Sequence, residues 1–251
     1  MSTDFQGFTV VISGAGSGIG LAVSKKLKAQ GATVFGLDLN AGELESSGAG
    51  TWVQCDIGSD ESVTQAFATI SSKVSKIDVL INNAGLGAQG GVEAATTEEW
   101  NKVLNINVIG TSRVSAAALP LLRKSQDAAI VNTCSVVATV GLPKRAIYSA
   151  SKGAILSLTL AMAADLLPEK IRVNCVNPGT AETPWIGRLL SQASDPVKER
   201  AALEARQPMG RLVSADEVAN AIIYLDHPGQ KSTTGTVLAV DGGLHSLNLP
   251  K

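Results

Sequence analysis

The chain has 251 residues, of which 45% are hydrophobic and 17% charged, and its formal net charge at pH 7 is −1. That length exceeds the common domain size, but one large α/β sheet can hold it, and the apolar fraction is ample for a core. A charge so close to zero offers no electrostatic footprint for nucleic acid or an anionic membrane. Because the chain also lacks a run of about 20 apolar residues, we expect neither a nucleic-acid partner nor a membrane span.

Cysteine, histidine and the N-terminal segment restrict the chemistry and the compartment. Cys55, Cys134 and Cys175 are too few and too scattered for a disulfide framework or a CxxC metal site, and their apolar surroundings predict buried reduced thiols. His227 and His245 are the only histidines and lack partners at metal-ligand spacing, so neither a zinc enzyme nor a Ser-His-Asp hydrolase is expected. The chain begins without a basic n-region, which argues against a secretory signal. We therefore expect a soluble cytoplasmic protein without a metal.

Short apolar runs of β-forming residues alternate with longer amphipathic segments along the chain. The runs that predict strands are Phe8–Ser13, Ala32–Leu37, Thr51–Gln54, Val79–Ile81, Ala129–Thr133, Arg172–Val176 and Val237–Val240. The segments that predict helices are Gly18–Gln30, Ser59–Val74, Thr97–Lys124, Ala146–Leu167 and Ala215–Leu225. This alternation predicts a parallel sheet that helices cover on both faces.

One segment breaks the alternation. Pro184–Gln207 is long, mixed in character and follows a late strand. In doubly wound folds, insertions at the carboxyl ends of strands lie over the ligand crevice, so this segment is the best candidate for a substrate lid. No internal repeat, low-complexity tract or charged linker divides the chain, which predicts a single domain over residues 1–251.

A glycine-rich turn follows the first predicted strand. Its sequence is Ser13-Gly14-Ala15-Gly16-Ser17-Gly18-Ile19-Gly20, and it opens directly into a predicted helix. Glycines allow a tight turn and let a pyrophosphate approach without a Cβ in the way, and the helix N-terminus adds unpaired N–H groups and a positive dipole end. Any tight strand-to-helix turn favours glycine, so the context matters more than the motif. Here a strand precedes it, a helix follows it, and an acidic residue closes the next strand.

That acidic residue, Asp38, bears on the choice of cofactor. Its carboxylate can accept hydrogen bonds from both adenosine ribose hydroxyls and would repel a 2′-phosphate. No arginine or lysine follows within the next several residues to bind such a phosphate. The sequence therefore predicts NAD rather than NADP, the alternative being an exposed turn aspartate. Asp56, which follows the third strand, is placed to contact the adenine edge.

Tyr148 and Lys152 lie four positions apart on a predicted helix, and Ser135 is thirteen residues upstream of the tyrosine. Positions i and i+4 share one helix face, so the ammonium can lie beside the phenol. A free phenol ionises only near pH 10, whereas a neighbouring cation favours its ionised form and makes it usable for proton transfer. By itself the spacing is common, and a helix with one tyrosine and one solvated lysine is the plainer alternative.

Taken together, these residues resemble the short-chain dehydrogenase/reductase family over essentially the whole chain. The matching motifs are Ser13-Gly14-x-x-x-Gly18-x-Gly20 (with serine where threonine is more usual), Asn82-Asn83-Ala84-Gly85, Asn107, Ser135, Tyr148-x-x-x-Lys152, Asn177-Pro178-Gly179 with Thr183, and Val240-Asp241-Gly242-Gly243. The resemblance implies a single Rossmann-like doubly wound α/β domain with a seven-stranded parallel sheet of order 3-2-1-4-5-6-7. It also implies a homotetramer assembled through the two long helices Thr97–Lys124 and Ala146–Leu167.

The resemblance assigns roles to particular residues. Tyr148 would exchange the substrate proton, Ser135 would hold the substrate oxygen, Lys152 would bind the nicotinamide ribose, and Asn107 would hold a water that connects the lysine to solvent. The implied cofactor-binding residues are Gly14, Ser17, Gly18, Ile19, Gly20, Asp38, Leu39, Asp56, Ile57, Asn83, Ala84, Gly85, Tyr148, Lys152, Pro178, Gly179, Ala181 and Thr183. We therefore expect an NAD-dependent oxidoreductase that acts on a secondary alcohol or ketone.

The predicted lid is similar to that of 3-hydroxybutyrate and sugar-acid dehydrogenases of this family. In the hydroxybutyrate enzymes, arginines that match Arg145, Arg188 and Arg206 converge on the substrate carboxylate, a task that suits the planar donor fork of guanidinium. The implied substrate is a small hydroxy acid or sugar acid bound by these arginines together with Ser135, Tyr148 and Trp185. Solvated surface arginines are the plainer alternative, and Trp185 would be either an apolar wall or a buried lid anchor.

Three other functions stay open. A neutral sugar or polyol dehydrogenase would share parts of the same lid. A 3-ketoacyl-carrier-protein reductase would need NADPH, against which Asp38 argues. A nucleotide-sensing scaffold without activity would typically have lost the tyrosine or the lysine.

Overall fold

The computed structural model describes residues 4–248, and its element order confirms the predicted alternation of strands and helices. Its strands are β1 (Thr9–Ser13), β2 (Thr33–Asp38), β3 (Thr51–Gln54), β4 (Val79–Asn82), β5 (Ala129–Thr133), β6 (Arg172–Pro178), β7 (Ala181–Glu182), β8 (Val213–Ser214) and β9 (Val237–Val240). Its α-helices are α1 (Gly18–Ala29), α2 (Asp60–Ser71), α3 (Thr97–Leu104), α4 (Thr111–Leu122), α5 (Ala146–Leu166), α6 (Pro184–Ser191), α7 (Pro196–Ala205) and α8 (Ala215–Asp226). Short 3₁₀ turns span Val136–Ala138 and Leu167–Glu169.

Seven parallel strands form one sheet in the order β3-β2-β1-β4-β5-β6-β9, which confirms the predicted topology. The seventh sheet strand is β9 because the two-residue strands β7 and β8 pair only with each other. At the centre, Ile12 of β1 lies opposite Gly36 on one side and Ile81 on the other. The strand order reverses between β1 and β4, and the crevice outside the carboxyl ends of the strands at such a reversal is where ligands bind.

Apolar side chains fill the space on both faces of the sheet. On β1, Val11 belongs to the cluster packed under α2 and α4, whereas Val10 and Ile12 belong to the cluster under α1 and α8. Because both faces are covered, the strands read as nearly continuous apolar runs rather than as alternating ones. Each fully buried aliphatic side chain contributes roughly 1.5–3 kcal/mol, so these two clusters fix the framework that carries the strand ends.

The prediction of one continuous α-helix over Thr97–Lys124 is wrong at its centre and at its end. A π-helical turn, Asn105–Gly110, joins α3 to α4, which ends at Leu122. Side chains of this turn bond to other segments: the Asn105 amide donates to the Gly58 carbonyl oxygen at 3.1 Å, and Asn107 bonds to the backbone of Leu86. Such turns are frequent at functional sites, and simple i, i+4 periodicity does not indicate them.

Helix α5 is highly apolar, and part of its surface is buried in the domain. Together with the 3₁₀ turn after it, Ala146–Glu169 is the only helix in the described part of the chain that is long and apolar enough to cross a membrane. The charged residues Lys152 and Asp165 interrupt its apolar sequence. The helix nevertheless buries Ile147, Ile155 and Ala163 against the rest of the domain. Core helices of globular proteins can have the same length and composition, so one such helix does not by itself indicate a membrane span.

A buried carboxyl group lies at the opposite edge of the sheet from the crevice. Asp226, the last residue of α8, is 0% exposed, and within residues 4–248 neither of its carboxyl oxygens has a hydrogen-bond partner. Arg172 lies nearby, but its guanidinium donates to backbone carbonyl oxygens of Leu225, Thr233, Asp226 and His227. Burial raises the pKa of Asp226 well above its ordinary value, and the charge of Arg172 offsets this only in part.

This raised pKa predicts how stability depends on pH. Below about pH 4, where an unfolded aspartate titrates, the proton on Asp226 contributes its full stabilisation, which is lost as pH rises through the folded-state pKa. Asp226→Asn cannot ionise, so its melting temperature should rise relative to wild type as pH increases. Each unit of raised pKa corresponds to about 1.4 kcal/mol. Thermal denaturation from about pH 4 through alkaline pH measures this.

Asp165→Asn is the matched control, because Asp165 is exposed on α5. Its melting temperature should follow the wild-type pH profile. Parallel pH profiles for wild type and Asp226→Asn would contradict the prediction.

Candidate active site

A cavity of about 730 Å³ lies at the carboxyl edge of the sheet and brings together nearly all the residues that the sequence singled out. The predicted residues that line it are Gly14, Ser17, Gly18, Ile19, Asp38, Leu39, Asp56, Ile57, Asn83, Ala84, Gly85, Ser135, Arg145, Tyr148, Lys152, Pro178, Gly179, Ala181, Thr183, Trp185, Arg188 and Arg206. The two exceptions are Gly20 and Asn107, which lie behind the wall and support it.

The backbone of the glycine-rich turn requires glycine at several positions. Gly14 and Gly18 have φ angles of +67° and +55°, in the left-handed region that favours glycine. A Cβ on Gly20 would lie 2.1 Å from the Gly14 carbonyl oxygen, so Gly20 keeps the turn tight from behind. Ser17 caps α1 without a side-chain hydrogen bond, which leaves the first N–H groups of the helix available. This cradle fits a pyrophosphate, which such helix N-termini bind.

The turn is locked to the segment after β4. The Ser13 hydroxyl accepts hydrogen bonds from the N–H groups of Asn83 and Ala84 at 3.0 and 3.1 Å. In return, the Asn83 amide donates to the carbonyl oxygens of Ser13 and Gly14. The serine that stands where threonine is more usual therefore makes the connection with its hydroxyl alone.

The two predicted acidic residues that line the cavity, Asp38 and Asp56, differ in their surroundings. The Asp38 carboxylate accepts a hydrogen bond from the Gly16 N–H at 2.9 Å, so it is held against the glycine-rich turn. The Asp56 carboxylate is more exposed and accepts from the Gly58 N–H at 2.8 Å, in the turn that leads into α2. Both line the cavity, so a ribose and a base bound there would meet carboxylates that the backbone has already oriented.

Tyr148 and Lys152 lie side by side on α5, as their spacing predicts, and Ser135 lines the same cavity. The Lys152 Nζ lies 5.8 Å from the centre of the Tyr148 ring, one turn away on α5. Lys152 is 6% exposed, and its ammonium group donates a hydrogen bond to the Thr133 carbonyl oxygen at 2.7 Å. Ser135 follows β5, and its hydroxyl accepts a 3.5 Å hydrogen bond from the Val137 N–H. A phenol, an ammonium and a hydroxyl thus line the same cavity.

Asn107 acts on this site from behind. Its carboxamide oxygen accepts from the Leu86 N–H at 2.7 Å, and its nitrogen donates to the Leu86 carbonyl oxygen and to the Ser151 hydroxyl. These bonds fasten the chain after β4 to the π-helical turn and to α5. Holding that chain is the role visible in the structure, and the water-mediated role implied by the family resemblance stays a prediction.

The three predicted arginines differ from the other five arginines of the chain. Arg113, Arg123, Arg200 and Arg211 form salt bridges with carboxylates, and Arg172 is surrounded by backbone carbonyls. Within residues 4–248, no salt bridge is formed by the cavity-lining arginines Arg145, Arg188 and Arg206. Their charge is therefore available to a ligand.

Arg145 and Arg206 also lie within electrostatic reach of each other. Burial, and secondly the charge of Arg206, lower the pKa of Arg145, while Tyr148 and Glu199 act in the opposite direction. The Arg145 guanidinium carbon lies 5.9 Å from the centre of the Trp185 ring. Like charges held together in a half-buried position favour an anion between them, because a negative group removes their repulsion.

Sequence reasoning missed several residues that line the cavity. Cys55 and Cys134 directly precede Asp56 and Ser135, so the rule that ligands meet strand ends could have found them. Burial raises the pKa of the Cys55 thiol to about 11, which keeps it protonated. Others come from segments without such a signal: Leu86 and Gly87 after β4, Lys102, Asn105 and Ile106 on α3 and the π-helical turn, Leu142 before α5, and Leu203 on α7.

All three cysteines are buried and unpaired. In the described part of the chain, no three His, Cys, Asp or Glu side chains cluster where they could hold a metal ion.

Comparison with known proteins identifies the family. A family model described as enoyl-(acyl carrier protein) reductase matches residues 14–245. A rat protein named dehydrogenase/reductase SDR family member 6 is 33% identical over 239 residues, which cover 95% of this chain and 97% of that protein. The chain belongs to the short-chain dehydrogenase/reductase family. As a dehydrogenase of this family, it is an oxidoreductase that acts on CH–OH groups.

Two further family members indicate the range of substrates among relatives. The 2-(S)-hydroxypropyl-CoM dehydrogenase 3 of Xanthobacter autotrophicus is 34% identical over 255 residues, covering 98% of this chain and 100% of that enzyme. The cis-4-hydroxycyclohexanecarboxylate dehydrogenase of Sinomonas cyclohexanicum is 34% identical over 251 residues, covering 97% of this chain and 98% of that enzyme.

Solved structures of family members superpose closely. Ligand-free aldohexose dehydrogenase from Thermoplasma acidophilum has a TM-score of 0.91 and 30% identity, with both chains fully covered. A 3-ketoacyl-(acyl-carrier-protein) reductase from Brucella melitensis, complexed with NADH, has a TM-score of 0.87 and 33% identity over 96% of this chain and 99% of that one. Membership of the family and the NADH complex of this relative indicate a nicotinamide cofactor.

Proposed function

We propose that the protein is an NAD-dependent dehydrogenase of a small hydroxy acid or sugar acid, which interconverts a secondary alcohol and a ketone. The observation that carries this proposal is the contrast among the arginines. Arg145, Arg188 and Arg206 line the cavity that also holds Tyr148, and none of them forms a salt bridge with a carboxylate of the described residues.

Asp38 supports NAD over NADP. Its carboxylate lies at the cavity wall beside the glycine-rich turn, where the adenosine ribose would bind. A 2′-phosphate there would meet this negative charge, and residues 39–50 contain no arginine or lysine to bind it. The cradle formed by Gly14, Gly18 and the N-terminus of α1 would hold the pyrophosphate.

The proton transfer follows from the arrangement on α5. When bound, the nicotinamide ring accepts hydride from the carbinol carbon or returns it to the carbonyl. Tyr148 would take the hydroxyl proton in oxidation and donate it in reduction. Lys152, whose Nζ lies 5.8 Å from the centre of the Tyr148 ring, would bind the nicotinamide ribose. Ser135 would donate its hydroxyl hydrogen to the substrate oxygen and stabilise negative charge there.

The arginines would orient the acid group of the substrate. Guanidinium binds a carboxylate with two parallel hydrogen bonds, and such a contact fixes the distance from the carboxylate to the reacting carbon. The name of the Sinomonas relative specifies a substrate with both a hydroxyl and a carboxylate. That relative favours the acid over the neutral alternatives.

Two alternatives rest on specific relatives. The Thermoplasma relative is an aldohexose dehydrogenase, which favours a neutral sugar. The Brucella reductase binds NADH in its structure, so a preference for NAD does not separate our proposal from a 3-ketoacyl-carrier-protein reductase. The expectation that such a reductase would need NADPH was too narrow. The substrate, rather than the cofactor, distinguishes these functions.

Assembly, compartment and lid movement stay predictions. Ile109 on the π-helical turn and Leu160 on α5 are 49% and 46% exposed, which fits the homotetramer that the resemblance implies. The predicted lid, residues 184–207, forms helices α6 and α7 beside the cavity. We propose that it closes over the substrate in a cytoplasmic enzyme.

Tyr148→Phe tests the proton transfer. Removing the hydroxyl should lower the turnover number by roughly 100-fold or more, while NAD binding stays nearly unchanged because the ring remains. Steady-state rates and a cofactor titration measure the two effects. Tyr224→Phe is the matched control, since Tyr224 is the only other tyrosine and is exposed on α8. Full activity in Tyr148→Phe would end the mechanistic claim.

Asp38→Asn tests the choice of cofactor. The amide oxygen can still accept the hydrogen bond from Gly16, but the charge that repels a 2′-phosphate is gone. We expect kcat/KM for NAD to fall and that for NADP to rise, so that their ratio decreases by at least about tenfold, which corresponds to 1.4 kcal/mol. A wild-type enzyme that already prefers NADP would refute the assignment.

Arg188→Ala and Arg206→Ala test whether these arginines bind an acid group of the substrate. Each should raise KM for a hydroxy acid by roughly 10- to 100-fold, as expected for a lost hydrogen bond between charged groups, and leave kcat for neutral alcohols unchanged. Arg200→Ala is the control, because Arg200 lies on the same lid segment but pairs with Glu182 and Glu204. Oxidation of neutral sugars alone, with both variants fully active, would reject the carboxylate.

A further inference from the structure

We propose that the contact between Gly87 and Trp185 determines the size of substrate that the enzyme accepts. This inference rests on the proposed function for the acid group, but its central claim concerns the shape of the cavity. Both residues line that cavity together with Arg145, Arg188 and Arg206. Gly87 follows β4, whereas Trp185 lies on α6 of the predicted lid, so their contact joins the two sides of the substrate region.

The contact leaves no room for a side chain at position 87. A Cβ on Gly87 would lie 2.6 Å from both Cε2 and Cζ2 of the Trp185 indole and 2.8 Å from its Nε1. Real Cβ atoms essentially never approach other heavy atoms below 3.0 Å. Glycine is therefore required here by the close approach of an aromatic ring to the backbone, and not by a turn, since its φ angle is not in the left-handed region.

The backbone around Gly87 is held in place on both sides. Before it, Leu86 is bonded through its N–H and carbonyl to the Asn107 side chain. After it, the Gly90 N–H donates to the Lys144 carbonyl oxygen at 3.0 Å, and the Ala146 N–H donates to the Gly90 carbonyl oxygen at 3.1 Å. An added methyl group would therefore displace the indole rather than the loop.

The indole connects this loop to the lid and to a cation. Trp185 packs against the small cluster of Ile186, Leu203 and Leu212, which holds α6 and α7 together. The Arg145 guanidinium carbon lies 5.9 Å from the ring centre, and its Nη1 donates to the Ala88 carbonyl oxygen at 3.4 Å. A cation at this distance from an aromatic ring is attracted to its face. Displacing the ring would thus also loosen Arg145.

These contacts specify the shape of the ligand. The ring forms a flat apolar wall next to guanidinium groups, so a short carbon skeleton can lie against it while its carboxylate meets Arg145. A longer or branched skeleton would collide with the ring, because the close contact with the Gly87 backbone prevents the ring from moving back. Trp185 is thus a specificity-determining residue, and Gly87 is the residue that positions it.

Substitutions at both positions test the proposal. Gly87→Ala should raise KM for 3-hydroxybutanoate by at least about tenfold, since misplacement by about 1 Å can cost 100-fold, and should leave NAD affinity unchanged. Trp185→Ala should shift kcat/KM toward 3-hydroxyoctanoate relative to 3-hydroxybutanoate. In a Trp185→Ala background the methyl group at position 87 has nothing to displace, so the two effects should not add.

Gly91→Ala is the matched control in the same loop. A Cβ there meets nothing within 4 Å, and its φ angle is not positive, so the variant should behave as wild type. Emission from Trp185 alone, in a Trp52→Phe/Trp100→Phe background, should shift on Gly87→Ala and not on Gly91→Ala. This emission measurement reports the position of the indole ring and does not depend on catalytic turnover.

The outcomes separate this inference from the proposed function. If hydroxy acids are not substrates but a series of neutral secondary alcohols shows the same change of size preference, the carboxylate is rejected and the contact keeps its role. If Gly87→Ala matches Gly91→Ala in KM and in emission, or if its effect persists in Trp185→Ala, the inference is overturned.

Discussion

The buried ammonium group of Lys152 is the feature on which the site depends. Burying an ammonium costs several kcal/mol unless hydrogen bonds compensate it, and the Thr133 carbonyl at the end of β5 accepts one at 2.7 Å. An ammonium has three donors, so the remaining ones can serve the phenol and a ligand. The position of Thr133 depends in turn on the sheet, where it lies opposite Val176 of β6. The apolar core therefore positions the strand end that holds this charge.

The loops at this edge of the sheet hold one another through close backbone contacts. Gly20 lies against Gly14 in the first turn, and the Ser13 hydroxyl ties that turn to the chain after β4. The same chain continues to Leu86, which Asn107 binds through two hydrogen bonds, and to Gly87 under the indole of the lid. The stretch Asn83–Gly87 thus contacts the cofactor cradle, Asn107 behind the catalytic residues, and the lid.

Much of the fold could be predicted because its signals are local. Strands buried on both faces read as apolar runs, and the turn after β1 needs glycine for reasons of sterics alone. The π-helical turn at Asn105–Gly110 was missed because it is supported by bonds to Gly58 and Leu86, which are distant in sequence. Helices α6 and α7 were read only as a mixed segment, since their apolar residues pack on each other and on Leu212 rather than on the sheet.

By itself the sequence determined which groups can react. The spacing of Tyr148 and Lys152 places them on one helix face whatever surrounds them, and the apolar run before Asp38 makes that residue the end of β2. Only the tertiary structure decided which charges are free. Arg113 and Arg172 find partners more than fifty residues away, whereas Arg145 and Arg206 line a cavity and lie within electrostatic reach of each other. Spacing sets the direction of a side chain within its own helix or strand, but its partners come from segments that only folding brings near.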